Sequence, residues 1–204
     1  KDCISCGNGT DSLYIIMKSL NFGPTDEVIV PAMSWISTSE TVTQAGGKVV
    51  FCDIDETGTI SVSDLVNKIT PNTVGIIPVH LYGQPCDMDS VMEIAKKRKL
   101  WVIEDCAQSH FAKYKGQYVG TFGLAASFSF YPGKNLGAIG DAGAILTNDS
   151  VLADKMRKYA RHGGLVKGIH EIEGINSRMD GLQAAVLNVK LKYILDWTYK
   201  RQIL

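Results

Sequence analysis

The sequence lacks several features that would assign it at once to a broad class of protein. No apolar run approaches the roughly 20 residues that span a bilayer, and the start has neither a basic segment nor a signal-like apolar stretch. The 21 basic and 21 acidic residues give a formal net charge of zero, so no global field attracts nucleic acid or an acidic membrane surface. We therefore expect neither a nucleic-acid partner nor a membrane, and a phosphate group must be held by local geometry.

Cysteine is scarce and forms no disulfide pattern. The five cysteines are scattered through apolar or glycine-containing segments, at Cys3, Cys6, Cys52, Cys86 and Cys106. An odd number in such surroundings is typical of reduced thiols, which predicts a cytoplasmic protein without a disulfide framework. Cys3 and Cys6 form a CxxC pair, but neither a second pair nor a histidine cluster completes the four donors of a zinc site, so no metal is predicted.

The chain has 204 residues, 45% of them hydrophobic, which is enough for one large domain around a single core. It does not start with Met, and a helical pattern continues to its end. We therefore expect a piece of a longer chain, whose last helix is long enough to lead out of the large domain.

Short β-rich runs alternate with amphipathic stretches along the chain. The predicted strands are EVIVP from residue 27, KVVFC from 48, VGIIPVH from 74, LWVIE from 100, ASFSF from 126 and GAILT from 143. The predicted helices cover residues 11–20, 34–45, 61–69, 89–99, 150–161 and 177 to about 203. This alternation predicts an α/β domain, and the run 74–79, apolar at both alternate sets of positions, predicts a mostly parallel sheet with helices on both faces.

Polar residues follow several predicted strands, at the edge where an open α/β sheet collects its ligand site. The run SCGNGTDSL from residue 5 is a turn of small residues that leads into a helix. The N-H groups and positive dipole end of such a helix suit a phosphate, although a plain capped turn is the simpler interpretation of this feature alone. The run 163–176, rich in glycine and polar residues, is the predicted mobile loop.

Two acids stand side by side in WVIEDCAQSH, which starts at residue 101. Because a buried carboxylate requires a cation or a proton-bearing partner, we expect Glu104 or Asp105 to be paired. An aspartate that caps the following turn is the competing interpretation.

A lysine emerges from a glycine-rich turn in SFSFYPGKNLGAIGDAG, which starts at residue 127. Glycines at that density let a cofactor approach, whereas most lysines only extend to the surface. Together with the acids, Lys134 suggests a pyridine cofactor, with a carboxylate that keeps the ring nitrogen protonated and a lysine that forms an imine with the aldehyde. Trp35 could stack on such a ring, although a buried core position is the usual interpretation of a lone tryptophan.

The order of these runs resembles the DegT/StrS sugar aminotransferases, which use pyridoxal 5'-phosphate (PLP) and have the fold-type I, aspartate aminotransferase-like fold. The resemblance covers nearly the whole chain, in the blocks SCGNGTDSL, DEVIVPAMSWISTSE, IIPVHLYGQPCDMD, WVIEDCAQSH, YKGQYVGTFG, SFSFYPGKNLGAIGDAGA and INSRMDGLQAAVL. It implies a three-layer α/β/α large domain with a mostly parallel sheet, formed by residues 1–186 and truncated at its N-terminus. Residues 187–204 are then expected to be the start of a connection to a C-terminal small domain that is absent.

The resemblance also implies roles for four residues around the cofactor ring. Lys134 matches the lysine that holds PLP as a Schiff base, and Asp105 matches the acid that faces the pyridine nitrogen. Gln108 is similar to the side chain beside the ring hydroxyl, and Trp35 to the aromatic residue stacked on the ring. Relatives that act as dehydratases carry histidine in place of the lysine, so Lys134 argues against that branch.

Four further residues match the phosphate site of the family. Thr10 and Asp11 resemble backbone donors, and Ser129 resembles a hydroxyl donor. Asn176, in the NSRMD run, is similar to an asparagine that reaches the phosphate of the neighbouring subunit. The resemblance therefore implies a homodimer with shared active sites.

The activity implied by the resemblance is transfer of an amino group from glutamate or glutamine to a keto-deoxyhexose nucleotide. Gln108 in place of a histidine favours sugar carbon 3. Phe111 departs from the small residue usual in the family, and we expect it to reshape the wall near the cofactor. Two alternatives stay open: a non-catalytic or truncated PLP-fold protein that acts by binding, and a dinucleotide-dependent oxidoreductase, for which the sequence lacks a GxGxxG motif.

Overall fold

The β-rich runs form a seven-stranded sheet in the computed structural model, which describes residues 2–203. Its strands are β1 (Asp2–Cys6), β2 (Glu27–Pro31), β3 (Lys48–Cys52), β4 (Thr73–Ile76), β5 (Trp101–Asp105), β8 (Ala125–Ser129) and β9 (Gly143–Thr147). Between β5 and β8 the chain forms a separate two-stranded hairpin, β6 (Lys113–Tyr114) and β7 (Gln117–Tyr118). The strand order in the sheet is β1-β9-β8-β5-β4-β2-β3.

Most of the sheet is parallel, as predicted. The strands β3, β2, β4, β5 and β8 pair in parallel along the sheet. Only β9 runs the other way, because it pairs antiparallel with both β8 and β1. The carboxyl ends of the six remaining strands therefore lie at one edge, where an α/β sheet forms its ligand crevice.

Seven α-helices lie within residues 2–203, four of them between strands and three after β9. They are α1 (Gly9–Ser19), α2 (Ser37–Gln44), α3 (Val62–Lys68), α4 (Met88–Arg98), α5 (Ser150–Tyr159), α6 (Gly181–Leu191) and α7 (Ile194–Gln202). Several begin at a polar cap, such as Asn8 before α1 and Asp87 before α4, whose side chains accept N-H groups of the first turn. None of the helices within residues 2–203 has the length and apolar character that a bilayer crossing requires.

Three predicted elements differ from the structure by more than two residues at one end. The helix α2 starts at Ser37 rather than at residue 34, since 34–36 form an irregular lead-in. The single helix predicted from 177 to 203 is divided into α6 and α7, which meet at the turn of Lys192 and Tyr193. The strand β4 ends at Ile76, two residues before Pro78, which has no N-H to donate.

Helices cover both faces of the sheet, which confirms the three-layer α/β/α architecture. Val28 and Val30 belong to a core cluster with α1 and α5 on one face, and Ile29 belongs to a second cluster with α3 and α4 on the other. This division follows from the alternation of side chains along a strand. It explains why Val28, Ile29 and Val30 are apolar at consecutive positions of β2.

The C-terminal helices lie against the rest of the domain through a smaller cluster. Leu187 of α6 and Ile194 of α7 are buried against Leu136, Ala138 and Ala142. The predicted domain boundary after residue 186 falls inside α6, and it stays a prediction. The loop 163–176 folds back on its own start, where Glu171 and Ile172 donate to the carbonyl oxygen of Gly163.

Glu104, near the end of β5, is fully buried and accepts four hydrogen bonds. One carboxylate oxygen accepts from the N-H of Gly120 (2.6 Å) and lies 3.2 Å from Nε2 of His80. The other accepts from the N-H groups of Phe122 and Gly123, both at 2.8 Å. The prediction that one of the two acids must be paired is thereby confirmed, and Glu104 fixes the turn that leads into β8.

We expect Glu104→Gln to lower the free energy of unfolding by about 3 kcal/mol, because one acceptor oxygen becomes an NH₂ group that faces buried N-H donors. Urea unfolding of the cofactor-free protein measures this change. The exposed Glu56→Gln is the matched control and should alter stability by less than about 0.5 kcal/mol. An equally small loss for Glu104→Gln would contradict the role assigned to this carboxylate.

Candidate active site

A cavity of about 670 Å³ opens at the carboxyl edge of the sheet. Segments that follow β1, β2, β4, β5 and β8 contribute to its lining. Seven of the eight site residues named from the sequence line this cavity: Thr10, Asp11, Trp35, Asp105, Gln108, Ser129 and Lys134. The eighth, Asn176, is exposed and does not line it. The sheet topology thus brings together residues that are up to 124 positions apart in the sequence.

Asp105 ends β5 and is only 5% exposed. Its Oδ2 accepts from the Thr38 hydroxyl at 2.9 Å, and its Oδ1 accepts from the N-H of Ala107 at 3.1 Å. Burial raises the pKa of the carboxyl, whereas these two hydrogen bonds and the charge of Lys134 act in the opposite direction. The bond to Ala107 is that of a capping aspartate, so the capping interpretation is correct for one oxygen only.

Thr38 belongs to this site although no feature of the sequence singled it out. Its hydroxyl has one proton, which it donates to Asp105, so it must accept from Ser34, whose Oγ lies 2.8 Å away. Ser34, Thr38 and Asp105 therefore form a chain in which every proton points toward the carboxylate. The contact joins residues 67 positions apart, which explains why local pattern could not reveal it.

The start of α1 forms one wall of the cavity. Asn8 caps the helix, and its Oδ1 accepts the N-H of Asp11 at 2.7 Å. This backbone donor, expected to face a phosphate, is therefore engaged by the cap. A Cβ on Gly9 would lie 2.6 Å from Cβ of Ser129, so only glycine lets the helix start approach β8 this closely.

Two side chains of the first turn of α1 connect the cavity wall to other segments. The Thr10 hydroxyl lies 2.7 Å from Oγ of Ser37 at the start of α2. Asp11 Oδ2 accepts from the Ser177 hydroxyl at 2.7 Å, and Ser177 Oγ accepts from the N-H of Gly7 at 2.9 Å. Ser177 is buried, so the segment that carries Asn176 is fixed to the helix start.

Lys134 lies in the turn that follows β8 and is partly buried. Its N-H donates to the carbonyl oxygen of Tyr131 at 2.8 Å, which closes the turn. A Cβ on Gly137 would lie 2.3 Å from the carbonyl oxygen of Pro132, so this glycine is required for the tight path. The cavity lining includes Lys134, as the functional interpretation of this lysine requires.

Trp35 is 72% exposed and lines the cavity. The core position expected of a lone tryptophan is therefore wrong here. The physical reason is the irregular lead-in to α2, which places residue 35 outside the helix and away from its buried face.

Two aromatic neighbours of the site have packing roles. His110 is buried, with its ring 5.7 Å from that of Phe128 and 5.6 Å from that of Phe130. Burial lowers its pKa to about 4, so the ring is neutral at pH 7. Phe111 has a φ of 63° and packs on the ring of Tyr118 and in the cluster beneath α6, outside the cavity lining. It therefore does not form the altered cavity wall that we expected.

A group of potential metal ligands that does not line the cavity belongs to a structural hydrogen-bond network. His80, Glu104 and Cys106 place three potential metal ligands within 4.8 Å of one another. However, Nδ1 of His80 already accepts from the N-H of Cys86, and both oxygens of Glu104 accept backbone N-H groups. Because these acceptor atoms are engaged, the cluster stabilises the fold, whereas the cavity offers a free amine, a buried acid and an exposed aromatic ring.

A model of the DegT/DnrJ/EryC1/StrS aminotransferase family matches residues 1–204. The chain is 49% identical over 203 residues to the UDP-2-acetamido-2-deoxy-3-oxo-D-glucuronate aminotransferase of Pseudomonas aeruginosa, covering 99% of this chain and 56% of that protein. It is 47% identical over 203 residues to the pleiotropic regulatory protein of Geobacillus stearothermophilus, covering 99% of this chain and 55% of that protein.

Solved structures give the same result. The fold is similar to that of S. venezuelae DesV in complex with a ketimine intermediate, with a TM-score of 0.96 and 40% identity over 100% of this chain and 55% of that one. It is also similar to NtdA from Bacillus subtilis with bound cofactor PMP, with a TM-score of 0.88 and 39% identity over 95% of this chain and 45% of that one. The chain thus spans about half the length of the relatives it matches. By its sequence and by its fold, it belongs to the DegT/DnrJ/EryC1/StrS aminotransferase family.

Proposed function

We propose that this protein is a PLP-dependent aminotransferase that moves an amino group from glutamate or glutamine to a keto-deoxyhexose nucleotide, at sugar carbon 3. The observation that carries the proposal is the meeting of Lys134, Asp105 and Trp35 in one cavity at the carboxyl edge of the sheet. Family membership supports the reaction class, and it removes the support for a dinucleotide-dependent oxidoreductase.

The lining of the cavity fits PLP group by group. Lys134 offers a primary amine to the aldehyde, and Asp105 offers a carboxylate to the ring nitrogen. Each Asp105 oxygen has a lone pair left beside the bonds described above, and burial makes a proton-bearing partner favourable for it. The exposed ring of Trp35 provides a flat surface, and the start of α1 with Thr10 suits the phosphate.

The chemistry supplied by bound PLP is an electron sink for the substrate carbon that carries the amine. Asp105 would hold a proton on the ring nitrogen, and the Thr38 hydroxyl favours the ionised carboxylate by donating to it. Lys134 Nζ would hold the cofactor through its aldehyde and would move a proton at the substrate carbon that carries the amine. Trp35 would cover one face of the ring.

We expect the purified protein with added PLP to show a visible absorption band that borohydride fixes onto Lys134, because the band requires a covalent bond to Nζ. Lys134→Ala should show no such band, while the exposed Lys97→Ala on α4 should behave as the parent protein. Absorbance before and after reduction, followed by peptide mapping, measures this. A reducible band that persists in Lys134→Ala would overturn the assignment of this lysine.

Thr38→Val should lower the free energy of unfolding of the cofactor-free protein by about 2 kcal/mol at pH 7, because ionised Asp105 loses a charge-assisted donor. Burial already raises the pKa of Asp105, and losing Thr38 raises it further. The folded state then binds the proton more tightly than the unfolded chain, whose aspartate has a pKa of about 3.9. Because the unfolded chain is the same in both proteins, the deficit develops as the pH rises through the folded-state pKa of Asp105 in the parent, and it levels off beyond the higher folded-state pKa in Thr38→Val.

Urea unfolding between pH 4 and pH 8 tests this expectation. Thr38→Ser keeps the hydroxyl and should retain most of the stability at pH 7. Thr43→Val makes the same chemical change at an exposed position of α2 and serves as the matched control. A deficit for Thr38→Val that is the same at every pH would show that the hydroxyl does not act through Asp105.

Amination at carbon 3 is supported by the names of relatives. One is the P. aeruginosa enzyme named above, which acts on a 3-oxo sugar, and another is the S. venezuelae dTDP-3-amino-3,4,6-trideoxy-alpha-D-glucose transaminase, 42% identical to this chain. Gln108 in the cavity is the residue of this chain on which the preference rests. With glutamate as donor, we expect 3-keto sugar nucleotides to be aminated in a coupled assay, and amination of 4-keto sugar nucleotides alone would contradict the proposal.

The proposal includes a homodimer with shared active sites and a cytoplasmic location. Asn176 is exposed and lies outside the cavity of its own chain, while the adjacent Ser177 is fixed to the start of α1. This arrangement suits an asparagine that serves the phosphate of a second subunit. Sedimentation of the protein as a monomer at assay concentration would contradict the shared site. The five cysteines are free thiols, which suits a reducing compartment.

Binding without catalysis is the second candidate, and the name of the G. stearothermophilus relative favours keeping it. One measurement distinguishes an aminotransferase from a protein that only binds PLP. Glutamate should bleach the visible band of an aminotransferase by completing the first half of the reaction, whereas a protein that only binds PLP keeps its band.

A further inference from the structure

Tyr82 adopts a backbone conformation that its side chain does not explain. Its φ of 54° and ψ of 19° lie in the left-handed region, which is unfavourable for a residue with a large side chain. The side chain is 82% exposed, so burial does not compensate for the steric cost. Strained residues of this kind persist where their surroundings fix them, and they cluster at functional sites.

The turn that carries Tyr82 is held at both ends by His80 and Cys86. The N-H of His80 donates to the carbonyl oxygen of Asp105 at 3.1 Å, and its Nδ1 accepts from the N-H of Cys86 at 3.1 Å. Nε2 of His80 faces the buried carboxylate of Glu104. The turn is thus attached to the end of β5, the strand that presents Asp105 to the cavity.

The backbone N-H of Tyr82 donates to Oε1 of Gln108 at 2.8 Å. An amide side chain has one acceptor atom and one NH₂ group, and only the oxygen can receive this proton. The bond therefore settles which way the amide of Gln108 is turned. Its NH₂ group has no hydrogen-bond partner among residues 2–203, and Gln108 lines the cavity together with Lys134 and Asp105.

We propose that the Tyr82 backbone N-H is a positioning group that makes Gln108 present a hydrogen-bond donor, rather than an acceptor, to the ring oxygen of bound PLP. This inference rests on the proposed function. It adds which end of the Gln108 amide faces the cofactor, and it names the main-chain contact that sets this orientation. The left-handed conformation of Tyr82 is then the means by which its N-H reaches Gln108.

A measurable consequence follows from the charge on the ring oxygen. A donor directed at this oxygen stabilises its negative charge, so the oxygen retains less strongly the proton that it shares with Nζ of Lys134. That proton is therefore lost at a lower pH than it would be without the donor. Removal of the donor should raise the pH midpoint at which the visible band of the bound cofactor changes.

Two variants of Tyr82 separate the N-H from the side chain. Tyr82→Val should raise the midpoint by about one pH unit, because a β-branched residue disfavours positive φ and moves the N-H away from Gln108. Tyr82→Gly keeps both the N-H and the left-handed conformation, so its midpoint should match that of the parent protein. A parental midpoint in Tyr82→Val would overturn the inference.

Two variants of Gln108 test the same contact with the turn undisturbed. Gln108→Met removes the amide at similar volume, and Gln108→Glu keeps an acceptor for Tyr82 but has no donor. Both should raise the midpoint, and Tyr82→Val should add nothing in the Gln108→Met background. Additive shifts would overturn the inference, and if Tyr82→Val fails to fold, a parental midpoint in Gln108→Glu would do so.

The failure of the proposed function is distinguishable from the failure of this inference. If the parent protein forms no reducible visible band with PLP, both the proposed function and the assigned partner of Gln108 are overturned. If the parent forms the band and its midpoint is unmoved in the variants, only the positioning role is overturned.

Discussion

Two adjacent buried carboxylates at the end of β5 are the constraint on which the rest of the molecule depends. Neighbouring residues of a strand point to opposite faces, so Glu104 and Asp105 enter different surroundings. Glu104 receives three backbone N-H groups and faces His80, which satisfies its oxygens within the protein. Asp105 receives two donors, and burial still raises its pKa. One acid therefore stabilises the fold, and the other retains capacity for a ligand.

His80 contacts both acids and so connects the fold-stabilising Glu104 with Asp105 at the cavity. It faces Glu104 through Nε2, donates its N-H to the carbonyl oxygen of Asp105, and starts the turn that brings Tyr82 to Gln108. The network that holds the turn before β8 is thus continuous with the one that orients the cavity side chains. A site of this kind is rigid because each side chain in it is held by a second contact, as Asp105 is held by Thr38.

The chain order of strands and helices could be predicted because burial imposes a period on each segment. Lys134 and Asp105 could be singled out because a lysine among glycines and a pair of acids after an apolar strand are unusual in composition. Trp35 could be assigned to the site only through the family resemblance, since its pattern alone favoured the core. Thr38 and Tyr82 were not found, because their contacts join residues 67 and 26 positions apart, and neither residue type is unusual where it stands.

The sequence by itself determined the α/β class and the mostly parallel sheet, and it singled out Lys134 and Asp105 as the residues proposed to carry the chemistry, because hydrophobic period and residue type are local properties. The tertiary structure decided that β9 alone runs antiparallel and that α6 and α7 are separate helices. It also decided which way the side-chain amide of Gln108 is turned. These features depend on hydrogen-bond partners that only the folded chain brings within 3 Å, and no local pattern specifies them.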